Sequence, residues 1–219
     1  VGAPALYCTA ITAGLCLAIW SIYFFVKAVY DDVSENKSIL FAFLGSLFGA
    51  LTFACRPPIG LINILVIPLL ITYLKKHKLN KKLFGKLVLA ALPYLIVAAL
   101  LMLYNYARFE NPFEFGQTYQ LTIADQHNYG SIFKNIDLGN LFKNVIIYFL
   151  DVNRPLKNFP YINYGGIILN FPMLVFPYIM VYNENFRKRI KEKNMWSFYL
   201  CLLILPILII IIDSLFSPI

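Results

Sequence analysis

The sequence predicts an all-α protein, a polytopic transmembrane helical bundle of about six spans with one further helix lying on the outer membrane face. Three observations lead there. Apolar runs occupy residues 5–28, 39–55, 59–74, 87–107, 165–182 and 196–215 of the 219. A hydrocarbon core about 30 Å thick is crossed by about 20 apolar helical residues, with about 17–25 as the usable range. Hydrophobic residues make up 60% and charged residues 14%, and the mean hydropathy is +0.69, outside the range of ordinary soluble domains. The runs are also apolar on every side, whereas a soluble amphipathic helix shows a stripe.

The basic residues orient the bundle. Lys75, Lys76, Lys78, Lys81, Lys82 and Lys86 lie between the third and fourth runs. Arg187, Lys188, Arg189, Lys191 and Lys193 lie between the fifth and sixth. The positive-inside rule puts both connections in the cytoplasm. Alternation then places 27–38 inside, and the turn at Arg56 and the long segment 108–164 outside. Of the 19 basic residues, 13 fall inside on this assignment. The net charge of +8 is therefore a topology signal. Clusters so close to spans argue against nucleic acid as a partner.

The first run starts almost at Val1, without an initiator Met, a charged leader or a small-residue cleavage site, so it is not a signal peptide. The expectation is a piece of a longer polytopic protein, whose remaining spans are partners of this one. Ala10, Gly14 and Ala18 in the first run, and Gly45 and Gly49 in the second, have the spacing that lets helices approach closely in lipid. Trp20, Tyr23 and Tyr30, with Trp196 and Tyr199, suit an aromatic belt on the inner side. The second and third runs form a hairpin whose tip is Arg56-Pro57-Pro58, because two prolines end the preceding helix. Arms of this length reach only about 24–26 Å, which sinks Arg56 below the outer interface. Within the outer segment, 141–150 carries a helical apolar stripe opposite Lys143 and Asn144, with Asn140 as N-cap. It is too short to span and reads as interfacial. Pro172, Pro177 and Pro206 are expected to kink their spans. Cys8, Cys16, Cys55 and Cys201 read as buried apolar residues, without metal or disulfide spacing. No cofactor or metal is implied.

No soluble-enzyme motif is present. Chemistry concentrates where the fourth run leaves the membrane, with Arg108, Glu110, Glu114, Gln117, Tyr119, Gln120 and Asp125 set among aromatics. Flat aromatic faces beside carboxylates and amides suit carbohydrate hydroxyls. An interfacial linker with aromatic anchors and solvated charges has the same composition. His127, beside Asp125, is a candidate for proton transfer.

The stretch Tyr104-Asn105-Tyr106-Ala107-Arg108-Phe109-Glu110-Asn111-Pro112-Phe113-Glu114-Phe115-Gly116-Gln117 resembles the YNxxRFGNPxEFG segment of bacterial polytopic membrane proteins. Those are placed with the GT-C glycosyltransferases, near the protein O-mannosyltransferase-like family (family 39). The Arg56-Pro57 turn is similar to an "RP" turn in the same proteins, and Glu110 stands where their pattern has glycine. The resemblance implies a cytoplasmic-membrane enzyme that takes a sugar from a polyprenyl-phosphate-linked donor at the outer face. It also implies a catalytic acidic residue in an outer loop upstream of Val1, so no catalytic residue carries over.

Arg56, Arg108, Glu114, Gln117, Tyr119 and Asp125 are the candidate donor-binding residues. A guanidinium matches phosphate oxygens with paired hydrogen bonds, which suits Arg56 and Arg108. A transporter or flippase for lipid-linked sugars and a non-catalytic membrane subunit stay open beside the enzyme. A transporter is expected to carry ionisable groups near the midplane, where these runs have almost none.

Overall fold

The computed structural model describes residues 3–77, 79–114, 138–152 and 165–216. Helix is the only regular structure among them. In order they are α1 (Ala3–Tyr30), α2 (Glu35–Cys55), α3 (Pro57–Gly60), a 3-10 segment (Leu61–Leu65), α4 (Val66–Lys76), α5 (Lys81–Phe109), α6 (Leu138–Leu150), α7 (Ile167–Asn170), a second 3-10 segment (Pro172–Val175), α8 (Phe176–Met180), α9 (Glu184–Glu192) and α10 (Trp196–Phe216). They divide into two compact units, Val1–Leu121 and Thr122–Ile219.

Among the described residues, three helices are long and apolar enough to cross a bilayer: Thr9–Tyr30 within α1, Glu35–Cys55 and Lys81–Phe109. A fourth candidate is the pair α9 and α10, bent by 116°, whose apolar part is α10. The protein is therefore a helical membrane protein, with three such helices among the described residues, four if the bent pair crosses. Two of the six expected spans are not single helices. The run at 59–74 is divided among α3, a 3-10 stretch and α4. The run at 165–182 is divided among α7, a 3-10 stretch and α8. Pro172 begins the 3-10 stretch, and Pro177 is the second residue of α8, so each stands in the first turn of a short element where a kink within one span was expected.

Side-chain bonds fix how the first unit is threaded. Ser38 Oγ donates to the Ala28 carbonyl at 2.6 Å and Ser21 Oγ to the Gly45 carbonyl at 2.8 Å, which makes α1 and α2 an antiparallel pair. Gly14 lies against Cys55 and Ile59, while Lys76 Nζ donates to the Val29 carbonyl at 2.7 Å. The broken segment 57–76 thus runs alongside α1 in the same direction. Lys86 Nζ reaches Glu35 Oε1 at 2.8 Å, so α5 starts where α2 starts and runs parallel to it. The lysine-rich connection and the 31–34 connection share one end of the unit. Arg56 and Arg108 share the other.

The small residues lie where the elements come closest. Ala18 is fully buried, and a Cβ at Gly45 would meet the Phe25 ring at 2.9 Å. Such contacts rest on shape, which drives helix association in lipid. Trp20 is displaced from its expected interfacial belt. It stacks on Phe24 and Phe48, beside the middle of α2, and is half exposed. Cys16 is exposed, and Cys55 and Cys201 are partly so, which corrects the reading of the cysteines as buried; the side chain of Cys8 lies outside the described residues.

In the second unit α6 begins at Leu138, two residues before Asn140, so Asn140 is a helical residue and not the cap. Asn144, assigned to the polar face, is only 4% exposed, while Phe142 of the apolar stripe is 71% exposed. Gly166 packs on the end of α6 so closely that a Cβ there would lie 2.4 Å from the backbone of Phe149 and Leu150. Ile190, Tyr199 and Leu203 form a small core with Phe186, Met195 and Trp196 around them. Tyr178 donates to the Leu203 carbonyl at 2.7 Å, holding α8 to α10.

Candidate functional site

Arg56 is a one-residue break between helices. Pro57 cannot donate a backbone hydrogen bond and disfavours helical geometry in the residue before it, yet fits the first position of a new helix. Arg56 accordingly takes an extended conformation, with φ −160° and ψ 112°, as the C-cap of α2. Its N–H donates to the Thr52 carbonyl at 3.0 Å, and its carbonyl accepts from Ile59 and Gly60 at 3.0 and 3.3 Å. The side chain leaves this junction partly exposed.

The depth of Arg56 follows from helix register. Gly49 sits opposite the Tyr94 hydroxyl. Arg56 is one and a half to two turns beyond Gly49, whereas Arg108 is about four turns beyond Tyr94. At about 1.5 Å per residue, this register puts Arg108 nearer this end of the unit than Arg56 by up to about 10 Å, and the Lys86–Glu35 pair, 22 and 21 residues back, by about 1–2 Å. The α2 arm itself is 21 residues rather than 17, because Glu35-Asn36-Lys37-Ser38 joins the helix at its basic end. The tip stops short of the top of α5, a helix of 29 residues.

The end of α5 is shaped by Glu110. Its φ of 55° and ψ of 13° are left-handed, the conformation in which glycine ends many helices. The Glu110 N–H donates to the Tyr106 carbonyl at 2.8 Å. Next, Asn111 Oδ1 accepts from the Phe113 N–H at 3.0 Å, a turn closed by an Asn side chain. Asn105, 4% exposed, donates from Nδ2 to the Pro112 carbonyl at 3.3 Å and ties that turn back onto the helix. The result presents Glu114, partly buried, close to the helix end.

Arg108 is exposed. Its guanidinium lies over the Tyr104 ring at 5.2 Å and the Phe109 ring at 4.7 Å, and it donates to the Tyr104 hydroxyl at 3.2 Å. Among the described residues it makes no salt bridge with Glu110 or Glu114. Stacking holds a guanidinium in place while leaving its edge donors available to an anion. Gln117, Tyr119 and Asp125, with His127, lie outside the described residues.

Sequence reasoning missed the polar cluster in the middle of the first unit. Tyr94 donates to Asn63 Oδ1 at 2.6 Å, and Asn63 Nδ2 donates to the carbonyls of Gly60 at 2.8 Å and Gly49 at 3.2 Å. A Cβ at Gly49 would lie 2.2 Å from Asn63 Oδ1, 2.5 Å from Tyr94 Oη and 2.9 Å from Ser21 Oγ. One signal was available: an asparagine and a tyrosine inside apolar runs need partners when water is absent. The cluster is internally satisfied, which makes it a structural lock between α2, the 3-10 segment and α5.

The chain matches no family model, no curated protein and no solved structure in comparisons with known proteins. What its helices define is a class, the polytopic helical membrane proteins.

Proposed function

We propose that this chain is part of a membrane glycosyltransferase that takes its sugar from a polyprenyl-phosphate-linked donor at the non-lysine face of the bilayer. The observation that supports the reading best is the shared end of the first unit. There a partly exposed arginine lies deeper than a stacked arginine, which stands beside a turn that carries a carboxylate. A lipid-linked sugar has the same order from membrane to water: isoprenoid, phosphate, carbohydrate. Arg56 faces the phosphate level, and Arg108, Glu114 and the aromatic side chains of Tyr104, Tyr106, Phe109 and Phe113 face the sugar level. By the resemblance of 104–117, the acid that activates the acceptor belongs to another part of the protein.

The test uses the full protein in lipid nanodiscs with a panel of polyprenyl-phosphate sugars. Transfer from one of them, reduced about 100-fold in Arg56→Ala with the protein still folded, is the expected result. Undiminished transfer by Arg56→Ala removes that residue from the site. Translocation of the lipid-linked sugar without transfer establishes a flippase instead.

A further inference from the structure

A second feature lies at the opposite end of the first unit and has no part in sugar transfer. A cavity of about 440 Å³ opens between α4 and α5, with α1 and α2 behind it. Its size falls in the about 300–1,000 Å³ range of small-molecule pockets. Its walls are aliphatic and aromatic, among them Phe25, Ile39, Leu69, Leu74 and Leu87. Its outer rim is formed by the exposed side chains of Leu70, Leu79, Phe84 and Val88, so it opens sideways, toward lipid. Tyr73 lines it, is 5% exposed, and has a hydroxyl without a hydrogen-bond partner among the described residues. A buried unpaired hydroxyl in an apolar wall is costly, and a ligand acceptor such as an ester carbonyl offsets that cost.

Lysines flank the lining residues along the chain. Lys75 and Lys76 end α4, and Lys81, Lys82 and Lys86 occupy the start of α5. Lys76 is held by the Val29 carbonyl and the Tyr30 ring, and Lys86 by Glu35 and Asn36. Lys75, Lys81 and Lys82 are exposed and make no salt bridge among the described residues. An apolar slot beside surplus lysines at the membrane surface is the chemistry that recognises an anionic lipid.

We propose that this cavity holds an acyl chain of an anionic phospholipid from the lysine-side leaflet, with the headgroup phosphate met by Lys75, Lys81 and Lys82 and an ester carbonyl by Tyr73. The lipid fills the gap between α4 and α5 and completes the packing of the unit.

Native mass spectrometry of the purified full protein, given phosphatidylglycerol and phosphatidylcholine of identical chains, tests this. The expected result is retention of phosphatidylglycerol by about tenfold or more, falling to the phosphatidylcholine level in the Lys75→Gln, Lys81→Gln, Lys82→Gln triple variant. Those positions are exposed, so the variant keeps its fold. Ala42→Phe, placed in the cavity wall, is expected to lower retention of both lipids while the helical circular dichroism stays unchanged. Equal retention of the two lipids by the unaltered protein overturns the proposal. So does displacement of phosphatidylglycerol by an equal concentration of polyprenyl phosphate, which assigns the slot to the sugar donor. A triple variant that retains phosphatidylglycerol as the unaltered protein does refutes the lysine contact.

Discussion

Gly49→Ala is the most severe single-methyl change that the first unit offers. The added carbon would stand 2.2 Å from Asn63 Oδ1 and 2.5 Å from Tyr94 Oη, both well inside van der Waals contact. These atoms cannot yield independently, because Asn63 is bonded at once to Tyr94, Gly60 and Gly49. Moving the amide away breaks at least the Tyr94 and Gly49 bonds. Interhelical hydrogen bonds in membranes contribute about 0.6 kcal/mol on average and up to about 1.7. Overpacking adds about 1–3 kcal/mol. The expected loss is about 2–4 kcal/mol of unfolding free energy, measured by reversible unfolding in mixed micelles followed by circular dichroism. Gly85→Ala is the control, since nothing lies within 4 Å of its added Cβ. That change should be neutral or stabilise by up to about 1 kcal/mol, the ordinary helical preference for alanine. Asn63→Ala combined with Gly49→Ala should cost less than the separate losses added together, because the clashing amide is gone. Equal stability of Gly49→Ala and Gly85→Ala would refute the packing described for the cluster.

Glu110→Gly should stabilise the end of α5 by about 1 kcal/mol, because a left-handed residue with a Cβ carries a penalty that glycine lacks; a fall in thermal midpoint would contradict this. Asn105→Leu keeps the helix but frees the Pro112 carbonyl, so proteolysis near 111–114 should quicken while far-ultraviolet circular dichroism is unchanged. Lys86→Gln removes an exposed pair with Glu35 and should leave the thermal midpoint nearly unchanged, with any small loss shrinking at high salt. Gly166→Ala should destabilise the second unit, since its Cβ would meet the backbone of α6 and no side chain can move aside there.

The long helices were legible because lipid imposes one simple demand. About 20 apolar residues free of ionisable groups satisfy their own backbone as a helix, and α1, α2 and α5 answer that pattern. The Arg56 junction was legible as well, since two adjacent prolines leave the preceding residue little choice. Hydropathy does not show where an apolar run loses its regular turn, so 59–74 and 165–182 read as spans while the structure divides each among short elements. Trp20 was assigned to an interface by residue type, but Phe24 and Phe48 offered it a stacking partner halfway along α2. The polar cluster was hidden for a related reason. Asn63 and Tyr94 are unremarkable singly and gain meaning only once the chain brings together residues 31 apart. At the candidate site, Asn105 anchors the turn through a bond to a backbone carbonyl seven residues on, which residue type alone does not reveal beside its charged neighbours.

The proposed function requires α5 to cross a bilayer with its lysine end inside the cell. A cysteine-free background carrying either Lys81→Cys or Glu110→Cys, both at exposed positions, tests this in intact cells with a membrane-impermeant maleimide. Labelling of E110C at once, and of K81C only after the membrane is permeabilised, is the predicted outcome. Labelling of K81C but not E110C in intact cells, or of both alike, contradicts it.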